Sequence, residues 1–138
     1  MLPFSVSLRP GLPIVEQVIY AANRAIASGQ LRPGDAFPSV RALSQQLKIN
    51  PNTAHRIVAS LVEDGVLEVR PGIGTVVADR RAGAATAWRQ RLAGDVEQLV
   101  VTARMAGLTL RELVAAVRRS WTLNRPEGSL RRTHDVRD

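Results

Sequence analysis

Cysteine is missing from this chain of 138 residues, histidine occurs twice and lysine once. Without cysteine there is neither a disulfide framework nor a thiolate metal site, and two histidines are too few for a metal cluster. No apolar run approaches the ~20 residues of a membrane span. Met1 to Val6 carries neither the basic start nor the apolar stretch of a secretory signal. A cytoplasmic chain with no membrane partner is therefore expected. Motifs that carry chemistry are missing too. There is no paired-carboxylate arrangement, nucleophile elbow or phosphate loop, and Gly72-Ile73-Gly74 lacks the strand-to-helix setting of a dinucleotide site. His55 and His134 fall in different segments. No catalytic residue, metal or cofactor is expected, and the enzyme class is set aside.

What the chain has in excess is positive charge, 19 basic against 12 acidic residues for a formal net +7. That balance favours a polyanionic partner, nucleic acid first. Part of it reflects an arginine-rich composition, since Lys48 is the one lysine. It is also spread out: residues 1–81 hold nine basic and six acidic groups, residues 82–138 ten and six. Charge alone does not locate a binding face. A hydrophobic fraction of 45% suffices for a real core, and the length suits one small domain with an appendage.

Apolar periodicity predicts a first helix over about Pro13 to Ser28, on Val15, Val18, Ile19, Ala22 and Ile26, stopped by Gly29. Leu31 to Pro38 reads as a turn-rich connection. Ser39 caps a short second helix with Val40, Leu43 and Leu47 inward. Asn50 caps a third, with Pro51 at a position that needs no N–H donor. That third helix turns Ala54, Ile57, Val58, Leu61 and Val62 inward and Asn52, His55, Arg56 and Glu63 outward. Val66 to Val69 and Thr75 to Ala78 read as strands around the glycine-bearing tip Arg70 to Gly74. Three helices followed by a hairpin give a winged helix-turn-helix.

Beyond a short polar stretch, Asp79 to Thr86, the residues Leu92, Val96, Leu99, Ala103 and Ala106 form an a/d seam of two heptads on a helix over about Ala87 to Ala106. Gly107 ends it, and Thr109 with Glu112 has the spacing of a capping box for one more helix, striped by Leu110, Leu113, Val114, Val117 and Trp121. The fold class expected is mainly α with a small β-hairpin: a winged helix-turn-helix over 1–79, two C-terminal helices forming a dimerisation hairpin over 80–124, and a mobile, aperiodic tail over 125–138.

The second and third helices, joined by a short polar turn, must cross, and the third then projects outward. A helix fits the B-DNA major groove, where exposed residues near its N-terminus meet base edges. Asparagine can pair with adenine, and arginine or histidine can donate to guanine acceptors. On the wing, Arg70 beside Gly72 and Gly74 allows guanidinium and backbone to approach a phosphate closely.

The ordered motifs then become specific. Leu31-Arg32-Pro33-Gly34-Asp35 followed by Phe37-Pro38-Ser39-Val40-Arg41-Ala42-Leu43 resembles the GntR signature L-x-P-G-x-x-L-P-S-x-R-x-L. Asn50-Pro51-Asn52-Thr53, Leu61 to Leu67 and Arg70 to Val77 continue it in register, so that the likeness covers about residues 10–78. The resemblance implies a DNA-binding transcriptional regulator, a repressor acting on a palindromic operator, with double-stranded DNA as partner. Together with the reading above, the candidate DNA-binding set is Ser39, Arg41, Asn50, Asn52, Thr53, His55, Arg56, Arg70 and Gly72. The chain departs from the family where Pro51 and His55 stand in place of frequent arginines, which moves base reading to Asn52, His55 and Arg56. Phe37 replaces a usual leucine. The Asn-Pro-Asn-Thr version resembles the YtrA-type subfamily, whose members are short and dimerise through two C-terminal helices.

A two-heptad seam is too short for a free coiled coil, so it packs on the final helix, on a partner chain, or on both. Homodimerisation is the expectation, with Trp88, Leu92, Val96, Leu99, Ala103, Leu110, Leu113, Val117 and Trp121 as the contact set. Larger relatives carry an effector domain at this place; here the material leaves room only for a small ligand of unspecified chemistry between protomers. The alternative reading is a non-specific or architectural DNA-binding protein, which would show strong salt dependence and little discrimination between sequences.

Overall fold

The helical spacing of Val18, Ala22, Ala25 and Ile26 produces α1, Ile14–Ala27, and these four are the residues it buries. The helix ends through Ser28 into Gly29, whose positive φ of 80° turns the chain away. In α2, Val40–Leu47, the Ser39 hydroxyl accepts the Ala42 N–H at 3.1 Å. In α3, Pro51–Glu63, Asn50 Oδ1 accepts the Asn52 N–H at 2.8 Å, and Pro51 occupies the first turn without losing a hydrogen bond. Both caps are those the sequence predicts. The inner faces agree as well: Leu43, Ala54, Ile57 and Leu61 are fully buried. The described residues of the computed structural model are 2–79 and 84–124, and they fall into two compact units, one on each side of residues 80–83.

The hairpin consists of β1, Leu67–Arg70, and β2, Gly74–Val77, paired antiparallel with Leu67 opposite Val77 and Arg70 opposite Gly74. Each strand sits within one residue of its predicted limits. The connection after α1 does more than turn. Ala36 bridges Val76, Phe37 N–H donates to Thr75 O at 2.9 Å, and Val77 N–H donates to Asp35 O at 2.9 Å. A short third strand-like segment thus covers one edge of the wing, which proline-rich local sequence hides.

A second feature invisible to periodicity is the segment before α1. Phe4 is only 4% exposed and stacks on Phe37, with ring centroids 5.5 Å apart. The Gln17 side chain clasps the same segment, accepting from Arg9 N–H at 2.7 Å and donating to the carbonyls of Arg9 and Leu12. The core of this unit therefore gathers Phe4, α1, Phe37, α2, α3 and the inward residues of the hairpin.

The second unit holds α4, Ala84–Met105, and α5, Leu110–Leu123. The turn between them closes on Gly107 and on a hydrogen bond from Leu108 N–H to Ala103 O. Thr109 and Glu112 form the predicted capping box: the Thr109 hydroxyl accepts the Glu112 N–H, and the Glu112 carboxylate accepts the Thr109 N–H and hydroxyl. Those two donated bonds, the backbone one foremost, hold the Glu112 carboxyl below its ordinary pKa. Residues 125–138, expected to be a mobile tail, lie outside the described residues.

Candidate nucleic-acid interface

Along α3 burial recurs at Ala54, Ile57 and Leu61, against α1, α2 and β1, and exposure recurs on the opposite stripe of Asn52, His55, Arg56 and Ala59. Positions three and four apart share a helix face, so the three polar side chains expected to read bases stand together on one solvent-facing stripe. Thr53 is half-buried at the edge of that stripe. Arg41, in the first turn of α2, is exposed, as are the two capping residues Ser39 and Asn50. The caps are committed to local backbone: Ser39 Oγ and Asn50 Oδ1 each accept a helix N–H, which leaves the Ser39 hydroxyl proton and the Asn50 amide group as their outward donors.

The wing presents Gly72 with φ 78° and Gly74 with φ 114°, backbone that side chains rarely adopt. A Cβ on Gly72 would meet no atom within 4 Å, so the glycine serves the turn and leaves open space beside it. Arg70 is not a free cation. Its Nε lies 2.9 Å and its Nη2 2.7 Å from Glu68 Oε1, both side chains being a little under half exposed. Sequence reasoning missed Glu68, although residues i and i+2 of a strand share a face and the pair was legible that way. It also passed over Ile73, 72% exposed at the tip.

All nine candidate DNA-binding residues belong to the first unit, and all nine candidate dimerisation residues to the second. Among the latter only Ala103 is buried; Trp88 and Leu113 are half-buried, and Leu92, Val96, Leu99, Leu110, Val117 and Trp121 are exposed. Arg91 lies over the Trp88 ring, 4.4 Å from its centroid, a cation–π contact. Val100, Val101, Val114 and Leu123 add to the exposed apolar surface. Among the described residues there is no group of side chains that could hold a metal ion and no helix long and apolar enough to cross a membrane.

The packed helix pair α2 and α3, with a polar outer stripe on α3, followed by a glycine-tipped antiparallel hairpin, defines a winged helix-turn-helix DNA-binding protein. Residues 14–77 match the model of the bacterial regulatory proteins of the gntR family. The chain is 30% identical over 106 residues, covering 76% of itself and 82% of the relative, to the HTH-type transcriptional repressor YtrA of Bacillus subtilis. It superposes on YtrA from Sulfolobus acidocaldarius, a GntR-family transcription factor, with a TM-score of 0.53 at 27% identity, covering 86% of this chain and 96% of that one. A transcriptional antiterminator from Listeria monocytogenes shares the fold with a TM-score of 0.73 at 19% identity, covering 86% and 89%. The protein belongs to the GntR family, as a DNA-binding transcriptional regulator of the YtrA type.

Proposed function

We propose that the protein is a homodimeric, cytoplasmic repressor that occludes a promoter by binding a palindromic operator. In this reading residues 1–79 bind DNA, residues 80–124 dimerise, and the exposed stripe of α3 enters the major groove. The observation that carries it is the pairing of that polar stripe with a second unit whose apolar side chains are left in solvent: Val96 is 46% exposed and Trp121 76%. Leu92, Val96, Leu99 and Val100, three or four positions apart on α4, form one exposed apolar stripe, which monomeric proteins rarely leave uncovered. A two-fold assembly would cover it and set two α3 helices about one DNA turn apart. Any small-molecule effector would then sit between protomers.

Selection of bound fragments from genomic DNA with the purified protein tests this directly, and an inverted repeat of two half-sites is expected. Recovery of fragments with no common motif would favour the architectural alternative instead. Once the half-site is known, Arg41→Ala and His55→Ala are each expected to weaken binding by ~1–3 kcal/mol and to relax preference at one base pair. Unchanged preference across single-base operator variants for both proteins would remove these two assignments.

The wing makes a second, opposite prediction. Glu68 holds Arg70 and places a carboxylate beside any phosphate that Arg70 meets. Glu68→Gln is expected to tighten binding to random-sequence duplex by about threefold to tenfold at low salt, because one charge contact is released from internal competition. Fluorescence anisotropy against salt measures it. Equal affinities for parent and variant would mean that Arg70 stays clear of the phosphates.

A further inference from the structure

Eight described residues have positive φ, and seven of them are glycines. The eighth is Lys48, at φ 56° and ψ 46°, in the turn between α2 and α3. The contrast is sharpest where helices end. α1 runs into Gly29, α3 into Gly65, and the turn after α4 is closed by Gly107, all left-handed. Only α2 makes this turn with a side chain.

Nothing inside the described structure accounts for that choice. A Cβ in left-handed backbone crowds the following carbonyl, a strain from which glycine is exempt and to which asparagine adapts best. The hydrogen bonds of the turn do not involve the Lys48 side chain: its backbone N–H donates to Ser44 O, Ile49 N–H donates to the same carbonyl, and Ser44 Oγ donates to Ile49 O at 2.7 Å. Among the described residues the ammonium has no hydrogen bond and no ion pair, and the residue is exposed. It is also the one lysine beside 18 arginines. Strain without compensation among the described residues points to an external ligand.

That ligand is set by place and charge. Lys48 lies two residues before Asn50, the cap of α3. With α3 across a duplex, the neighbouring elements of a helix-turn-helix run along the sugar–phosphate backbone that borders the groove. We infer that Lys48 is a DNA-backbone contact whose ammonium binds a non-bridging phosphate oxygen beside the α3 groove, and that this contact is why the turn keeps a side chain in left-handed backbone. A compact point charge with three rotatable donors suits a contact that must hold on any sequence, so Lys48 contributes affinity and not base preference. The inference rests on the DNA-facing reading of α3.

Its test exploits the single lysine. Amine-reactive acylation of the purified chain labels Lys48 and the α-amino group, which mass spectrometry distinguishes. With excess random-sequence duplex at low salt, Lys48 acylation is expected to slow about fivefold or more relative to the α-amino group. Equal relative rates with and without duplex would overturn the inference. Lys48→Gly supplies the second arm, because its two effects have opposite sign. Relief of the left-handed Cβ outweighs the added chain entropy, so the thermal midpoint is expected to rise by a few degrees. At the same time the slope of log affinity against log salt falls by about 0.9, an affinity loss of about eightfold at ~0.1 M salt, and Lys48→Arg restores both slope and affinity. A purely structural role would leave the slope alone, and a stabilised glycine variant with the parent's slope sinks the phosphate contact. Asn52→Ala with Arg56→Ala separates the two claims. If that pair keeps the parent's operator preference, the placement of α3 has failed and the Lys48 contact falls with it. If that pair loses preference while Lys48 stays fully reactive on the duplex, Lys48 alone was misassigned.

Discussion

Val96→Glu is expected to turn the protein into a monomer at micromolar concentration and to lower its affinity for the selected operator by about 100-fold or more. Val96 stands mid-seam on α4 among Leu92, Leu99 and Val100, all exposed. In a dimer that covers this stripe, the substitution buries a carboxylate without a partner, a large cost in a dry interface. The free chain should tolerate it, since glutamate is a better helix former than valine and the site is open to water. Losing the dimer separates two half-site contacts that otherwise act as one, and linked binding of this kind is worth about 10²–10⁴ in apparent affinity. Sedimentation gives the mass and anisotropy the affinity. A Val96→Glu protein that still sediments as a dimer and binds like the parent would show that α4 lies outside the interface.

Phe4→Ala should cost ~3 kcal/mol or more in the stability of the DNA-binding unit. Phe4 precedes the stretch matched by the family model, which begins at residue 14, yet it is as buried as the core of the helices and stacks nearly parallel on Phe37. Phe37 in turn donates its N–H to Thr75 on β2, so the ring pair ties the N-terminal segment to the wing. Removing a buried phenyl leaves a cavity as well as losing its transfer energy. In a domain whose total stability is about 5–15 kcal/mol, that is a large share. Both tryptophans, Trp88 and Trp121, lie in the other unit, so tryptophan fluorescence is the wrong probe. Hydrogen exchange at the Ile57 and Leu61 amides of α3 reports the right one. A loss under ~1 kcal/mol there would show that the segment rests on the core without supporting it.

The two predictions differ in how far the sequence foresaw them. The 3–4 spacing of Leu92, Val96, Leu99 and Ala103 on α4 was legible because it is a local helical period, and the structure leaves the first three exposed. Phe4 was not, because one aromatic residue in an aperiodic segment has no period to read. The helix caps at Ser39, Asn50 and Thr109 were legible for a local reason: each hydroxyl or amide reaches a backbone N–H two or three residues on, and no distant contact is needed. The bridge from Ala36 to Val76 was hidden for the converse reason, since its partners stand forty residues apart. The strands of the wing were found with limits shifted by one residue, because the turn geometry of Gly72 and Gly74 sets the register and β-propensity does not.

By itself the sequence determined the element order, the caps, the inward faces of α1, α2 and α3, and the polar stripe of α3. All of these follow from interactions between residues a few positions apart. Only the tertiary structure decided that Phe4 closes the core, that Ala36 bridges Val76 on the wing, and that Lys48 bends a turn elsewhere given to glycine. Packing across long chain separations, and the φ of an individual residue, are fixed by the whole fold and leave no repeating mark in the chain.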